Sequence, residues 1–230
     1  MKKYRHIFFD LDRTLWDFDS NSAAALTEIF VRNRLERFFS SPEPFIEGYN
    51  RHNEILWEWY RRGDIKKEIL RSLRFDLTLR DAGVEDAELA RSIGEDYLSI
   101  STQKTILFPH THEILEYLLG RYKLYILTNG FRETQFSKLR NCGLEKYFNH
   151  VFTSETIGYN KPHPKIFQWA VSSVNGKREE CLMIGDDISV DIEGAANCGI
   201  DQVYFNPEGL VTDFSPSYEI ISLEQLKNIL

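Results

Sequence analysis

Residues His6-Ile7-Phe8-Phe9 run directly into Asp10-Leu11-Asp12-Arg13-Thr14. The apolar run suits a short buried strand, which leaves two carboxylates, two positions apart, at its C-terminal end. Side chains two apart share a strand face, but a chain that begins to turn there can aim them differently. The pair can then divide two tasks: Asp10 as a nucleophile toward phosphorus, and Asp12 as an acid for a leaving oxygen and later a base for water. The same residues also suit an Asp-rich surface turn.

Three further groups can share one site with this pair. Gly185-Asp186-Asp187, with Asp191 beyond, supplies hard oxygen ligands for Mg²⁺, although an acidic loop capping a following helix has the same composition. A divalent ion would relieve repulsion between these carboxylates and an incoming phosphate. Thr128-Asn129-Gly130 offers a hydroxyl, an amide and backbone N–H groups for phosphate oxygens, and equally reads as a strand-ending turn. Lys161 can neutralise a phosphate or a carboxylate, whereas most lone lysines are solvated surface groups.

The elements that must position these groups are legible from periodicity. Residues 122–127 (YKLYIL) and 181–184 (CLMI) repeat the pattern of an apolar strand followed by polar loop residues, and 202–205 (QVYF) is a weaker strand candidate. Helical spacing occurs over 110–119, 133–142, 164–174 and 189–197, with Pro164 suited to a first turn. This alternation predicts an α/β fold with a mostly parallel, Rossmann-like sheet flanked by helices, and ligands beyond the strands' C-terminal ends. Asp10, Thr128 and Asp186 all fall at such ends.

Residues 20–99 break the alternation. They carry helical patterns at 21–36, 42–60, 64–73 and 85–98 and no convincing strand. The expected organisation is an α/β core from residues 1–18 and 100–230, with an inserted helical cap domain over 19–99. Phe18, at the junction, Asn21, just beyond it, and Phe131, next to the Thr128 loop, are the candidate pocket residues. Between residues 61 and 74 lie Arg61, Arg62, Lys66, Lys67, Arg71 and Arg74, read as a solvated helix face that can also attract a phosphorylated substrate. Trp57, Tyr60, Asn53 and Leu56 share one helical face and read as packing residues.

Composition narrows the class of function. The 230-residue chain is 42% hydrophobic and 27% charged, with a net charge of −7, so a generally basic nucleic-acid binder is not expected. Cys142, Cys181 and Cys198 are too few and too widely spaced for a disulfide scaffold or a four-cysteine zinc site. No run reaches membrane-span length, and the N-terminal residues lack the length of a signal peptide, which predicts a cytoplasmic protein. There is no P-loop and no Gly-x-Ser-x-Gly elbow. His110 and His112 read as loop histidines, and His163, between two prolines, as a structural residue.

With these motifs in order, the chain resembles the haloacid-dehalogenase superfamily of phosphatases over essentially its full length. The resemblance implies that Asp10 is the nucleophile, Asp12 the general acid/base, and Thr14 a support for both. It implies that Thr128, with Asn129 and Gly130, binds phosphate and that Lys161 neutralises it. Mg²⁺ would be held by Asp10, the Asp12 backbone carbonyl and Asp186, with Asp187 and Asp191 in support. A dehalogenase does not need Asp12 or a magnesium cluster, and a phosphomutase of this group usually has Gly-Val where this chain has Arg13-Thr14.

The stretches DLDRTLWDF from Asp10 and LTNGFRETQFSKLRNCGLEKYFNHVFTSETIGYNKPHPKIF from Leu127 resemble the pyrimidine nucleotidase branch of house-cleaning 5'-nucleotidases. That likeness implies a pyrimidine nucleoside 5'-monophosphate as substrate, so the expected partner is a small phosphorylated metabolite. No nucleic-acid polymer and no membrane are expected, and the chain is expected to be a monomer or small homo-oligomer. The enzyme alternative is a general phosphatase for phosphoglycolate or a sugar phosphate. A phosphate-responsive binding module uses similar residues, but Asp12 and the insertion favour turnover.

Overall fold

Six strands line up in the order β3-β2-β1-β4-β5-β6, all parallel, in the computed structural model, which describes residues 4–230. They are β1 (His6–Phe9), β2 (Lys123–Thr128), β3 (His150–Thr153), β4 (Cys181–Gly185), β5 (Asp201–Phe205) and β6 (Tyr218–Ile220). The order reverses at β1, so the chain leaves in opposite directions from β1 and β4 and opens a crevice beyond their C-terminal ends. Asp10 follows β1 directly and Asp186 follows β4, on neighbouring strands whose register pairs Phe9 with Ile184.

Alternation along the strands separates two cores. Ile7, Phe9, Leu124, Ile126, Leu182 and Ile184 enter one apolar cluster. Their neighbours Phe8, Tyr125, Leu127, Cys181 and Met183 enter the other. A parallel sheet covered on both faces requires such continuous apolar strands. The first face is covered by α5 (Thr111–Leu118) and the second by α8 (Pro164–Ser173), through Ile114, Leu115 and Leu118 and through Ile166, Phe167 and Ala170 respectively. The fold is therefore the expected α/β type, a mostly parallel sheet flanked by helices with additional helical insertions.

The chain divides into two compact units, one from residues up to Phe18 together with Thr105–Leu230, the other Asp19–Lys104. Helices α1 (Phe18–Arg32), α2 (Pro42–Arg62), α3 (Lys67–Asp81) and α4 (Ala87–Ser101) carry the second unit. Its core gathers Leu26, Ile29, Phe45, Tyr49, Phe75 and Ile93. Asp86 caps α4 by accepting from the Leu89 amide at 2.9 Å.

Here the basic run departs from expectation. Arg74 turns inward, is almost fully buried, and donates to Tyr49 Oη (3.1 Å) and Asn53 Oδ1 (2.8 Å). Helical phase explains it: Arg74 lies four residues from Leu70 and from Thr78, both buried on the inner stripe of α3. By contrast, Arg62 stays outside with Glu58 at 3.3 Å and Asp64 at 3.2 Å.

The three cysteines are free and buried. Among the described residues, no helix is long and apolar enough to cross a membrane.

Candidate active site

Asp10 is the first residue beyond β1, and its backbone N–H still donates to Ile184 O at 2.9 Å, so the carboxylate is placed by the sheet itself. Lys161 reaches it from the loop before α8, with Nζ 2.6 Å from Asp10 Oδ1. The same ammonium lies 2.6 Å from Asp191 Oδ1 and donates to Leu127 O at 2.8 Å. Both of Lys161's carboxylate partners are buried, and so is Lys161, at 1% exposure. An ammonium removed from water to this degree is tolerable only because it is paired and hydrogen-bonded.

Asp186 follows β4 and accepts from Thr14 Oγ1 at 3.0 Å, which ties the loop after β1 to the loop after β4. Asp187 instead caps the helical turn that follows. Its Oδ1 accepts from the Ser189 and Val190 amides at 2.9 and 3.0 Å and from the Ser189 hydroxyl at 2.8 Å.

Carboxylate oxygens of Asp10, Asp186 and Asp191 all lie within 4.8 Å of one another. Burial pushes the Asp10 carboxyl up to about 7, against the pull of Lys161. Burial also holds the Asp186 carboxyl well above its ordinary range, and the charges on Asp10 and Asp191 add to this. Burial raises Asp191 as well, with Lys161 opposing. For Lys161, burial works against the charge, but Asp10 and Asp191 outweigh it and raise its pKa. The cluster thus holds more negative charge than its lysine neutralises. Crowded, buried hard oxygens of this kind fit a small divalent cation. Asp10 and Asp186 are the better-suited donors, since Asp191 is already engaged by Lys161.

Thr128 ends β2, and its Oγ1 accepts twice, from the Gly130 amide at 3.0 Å and from Gln135 Nε2 at 2.8 Å. A hydroxyl has two acceptor positions and one proton. With both acceptor positions used, the Thr128 proton is left to donate to an incoming oxygen. Asn129 is bound to the Lys161 backbone in both directions, accepting from its N–H at 2.7 Å and donating to its carbonyl at 2.9 Å. Gly130 permits a close approach: a Cβ there would fall 2.0 Å from Gln135 Nε2.

Asp12 is held by two residues on α6 (Arg132–Asn141) that the motif reading did not single out. Gln135 Nε2 donates to Asp12 Oδ2 at 2.8 Å, and Lys138 Nζ pairs with Asp12 Oδ1. Gln135 Oε1 is buried without a partner, which costs about 1–3 kcal/mol. The amide is therefore fixed by what its nitrogen donates to. The signal for these residues was a Gln–x–x–Lys spacing beside the buried Leu139, one turn inside a helix that starts at a catalytic loop.

The candidate pocket aromatics are placed differently. Phe131 is buried at the N-cap of α6. Phe18 packs edge-on to Trp16 at 6.2 Å and lies under the Arg13 guanidinium at 4.6 Å. Asn21 is buried within α1 of the helical unit. His163 caps α8, accepting from the Lys165 amide at 3.1 Å, which is a structural role. His110 pairs with Glu113 at 2.9 Å on the surface.

A family model described as haloacid dehalogenase-like hydrolase matches residues 4–199. The chain belongs to that family. The pyrimidine 5'-nucleotidase PynA of Streptococcus pneumoniae is 33% identical over 237 residues, spanning 99% of this chain and 97% of that protein. A glyceraldehyde 3-phosphate phosphatase of Pyrococcus furiosus is 32% identical over 210 residues, spanning 89% of this chain and 82% of the other. The crystal structure of the HAD-hydrolase YfnB from Bacillus subtilis, bound to magnesium, matches with a TM-score of 0.90 at 29% identity over 99% of each chain.

In this haloacid dehalogenase-like hydrolase, one glycine tests how tightly the cluster is packed. A Cβ on Gly185 would lie 2.4 Å from Asp191 Oδ2 and 2.6 Å from its Cγ. Gly185→Ala is therefore expected to push Asp191 off Lys161 and to destabilise the protein by about 1–3 kcal/mol. Urea melts of the two proteins check this, and coincident curves would show that the cluster yields freely.

Proposed function

We propose that the chain is a magnesium-dependent phosphomonoesterase working through an aspartyl-phosphate intermediate, and that its substrates are pyrimidine nucleoside 5'-monophosphates. The observation that carries the reaction is the buried Asp10, held at the strand end by Lys161 with Asp12, Thr128 and Asp186 on the adjoining loops. In the first step Asp10 attacks phosphorus as the P–O bond to the leaving group breaks, and Asp12 gives its proton to the departing oxygen. In the second, Asp12 takes a proton from water, whose oxygen attacks phosphorus while the bond to Asp10 breaks. Inorganic phosphate leaves, Asp10 is again a carboxylate, and Asp12 again carries the proton it began with.

Thr128 donates its proton to a phosphoryl oxygen, and Lys161 offsets charge on Asp10 and the phosphoryl group. Asp10, Asp186 and the Asp12 carbonyl would hold Mg²⁺, which when bound stabilises charge on the transferring phosphoryl group. The magnesium bound by the Bacillus subtilis relative and the crowded carboxylates here support that part of the reading. Residues 19–99 are read as the cap whose closure excludes water during the first step.

The nucleotide assignment draws on the likeness to PynA over nearly the whole chain. The Pyrococcus furiosus relative favours a second reading, a sugar-phosphate phosphatase with the same catalytic residues. A panel of uridine, thymidine and adenosine 5'-monophosphates, glyceraldehyde 3-phosphate and phosphoglycolate separates them. The expected result is kcat/KM highest for a pyrimidine monophosphate, by about tenfold or more. A higher value for either of the last two compounds would replace the nucleotide assignment.

A further inference from the structure

Lys138 is a second buried lysine, and the phosphoryl chemistry above does not account for it. Its side chain is 5% exposed, its ion-pair partner among the described residues is Asp12, and its ammonium lies 3.8 Å from the centre of the fully buried Trp16 ring. Lysine is almost never found this deep unless it is paired. A buried ion pair is weak evidence for stability, because apolar residues of similar size commonly serve as well. Its use is better sought in what it does to Asp12.

Asp12 needs such a device. It lies on the turn after β1, next to Arg13 in a left-handed conformation (φ 62°), and its side chain is 27% exposed. A carboxylate so placed can turn into water. Here each of its oxygens is held by a different donor, Lys138 on Oδ1 and Gln135 on Oδ2. Both donors come from one face of α6, three residues apart, so a single rigid helix fixes the carboxylate plane. Each oxygen keeps a remaining acceptor position for the travelling proton. The Gln135 amide also donates to Thr128 Oγ1 at 2.8 Å, which sets the acid/base group and the phosphate-binding hydroxyl in one register. Trp16 closes the arrangement by offering the face of its ring to the ammonium.

We propose that Lys138 and Gln135 are the positioning residues for Asp12, holding its carboxyl where the leaving oxygen departs. The inference rests on the reading of Asp12 as general acid. It predicts a loss that depends on the leaving group. An alkyl leaving group, such as the 5'-oxygen of a nucleoside, must receive a proton as it departs, whereas 4-nitrophenolate leaves as the anion without one.

The test compares kcat/KM for uridine 5'-monophosphate and 4-nitrophenyl phosphate in the magnesium-loaded full chain, for wild type, Lys138→Met, Lys138→Arg, Gln135→Ala and Asp12→Ala. Lys138→Met is expected to lose about 10²-fold on the nucleotide and less than about threefold on the nitrophenyl ester. Gln135→Ala should show the same split at smaller size, on top of a loss common to both esters through Thr128, and the ratio of its two losses carries the test if Lys138→Met does not fold. Lys138→Arg, which keeps the charge and can stack on Trp16, should recover most of the nucleotide activity.

Equal losses on both esters, or none, in Lys138→Met and Gln135→Ala while Asp12→Ala shows the split would overturn the positioning role and leave Asp12 as the acid. Equal losses in Asp12→Ala itself would overturn the acid assignment beneath it.

Discussion

Asp10→Asn is expected to lose about 10⁴-fold or more in kcat, and at the same time to be more stable than wild type in metal-free buffer at pH 8. The first effect follows from the loss of the attacking oxygen. The second follows from burial. A carboxyl moved from 3.8 to about 7 favours its protonated form in the folded protein by an amount on the order of 4 kcal/mol. That contribution is fully present below pH 3.8 and is lost as pH rises through about 7. Asparagine has no proton to lose, so the stability gap between the two proteins should open across that window and close below it.

Added magnesium should then raise the melting temperature of wild type at pH 8 by more than that of Asp10→Asn, because the cation relieves a charge the variant lacks. Thermal melts with EDTA and with magnesium at pH 4.5, 6 and 8, beside a turnover assay, read both effects. Residual magnesium-dependent turnover near the wild-type rate in Asp10→Asn would remove Asp10 as the nucleophile. A variant less stable than wild type at pH 8 without metal would mean that the Lys161 pairing outweighs burial at this position.

How much of this could be read in advance depended on whether chemistry or tertiary packing chose the residue. The strands β1, β2 and β4 are largely apolar runs, and their loops announce themselves through carboxylates or a Thr-Asn-Gly turn. Strands β3 and β6 escaped notice because an edge strand of three or four residues, such as Tyr218–Ile220, has too short a pattern to register. The weak strand candidate at 202–205 turned out to be buried between β4 and β6.

Lys138 shows the limit for the site. In sequence it is one charged residue in a polar helix, and only the fold brings Trp16 and Asp12 against it. Arg74 makes the same point in the helical unit, where phase on α3 overrode the basic run to which it belongs. Phe131, read as a pocket residue from its adjacency to the Thr128 loop, is buried at the N-cap of α6.

Lys161→Met should produce the largest loss of stability of any single change at the site, about 3–5 kcal/mol at pH 8, because removing one partner of a buried pair leaves the other uncompensated. Here two carboxylates, Asp10 and Asp191, lose one ammonium together. The sign with pH is fixed by the same logic. Without the lysine both carboxyls hold their protons to still higher pH, so the variant's deficit should shrink as pH falls to 5 and grow toward pH 8.

Turnover should fall by about 10³-fold through the lost stabilisation of charge on the phosphoryl group. Urea melts at pH 5 and pH 8 separate this account from simple loss of packing, because methionine fills most of the lysine's volume and a packing defect would not depend on pH. A deficit of equal size at both pH values would mean that Lys161 holds the cluster by its stem and by its bond to Leu127 O rather than by its charge.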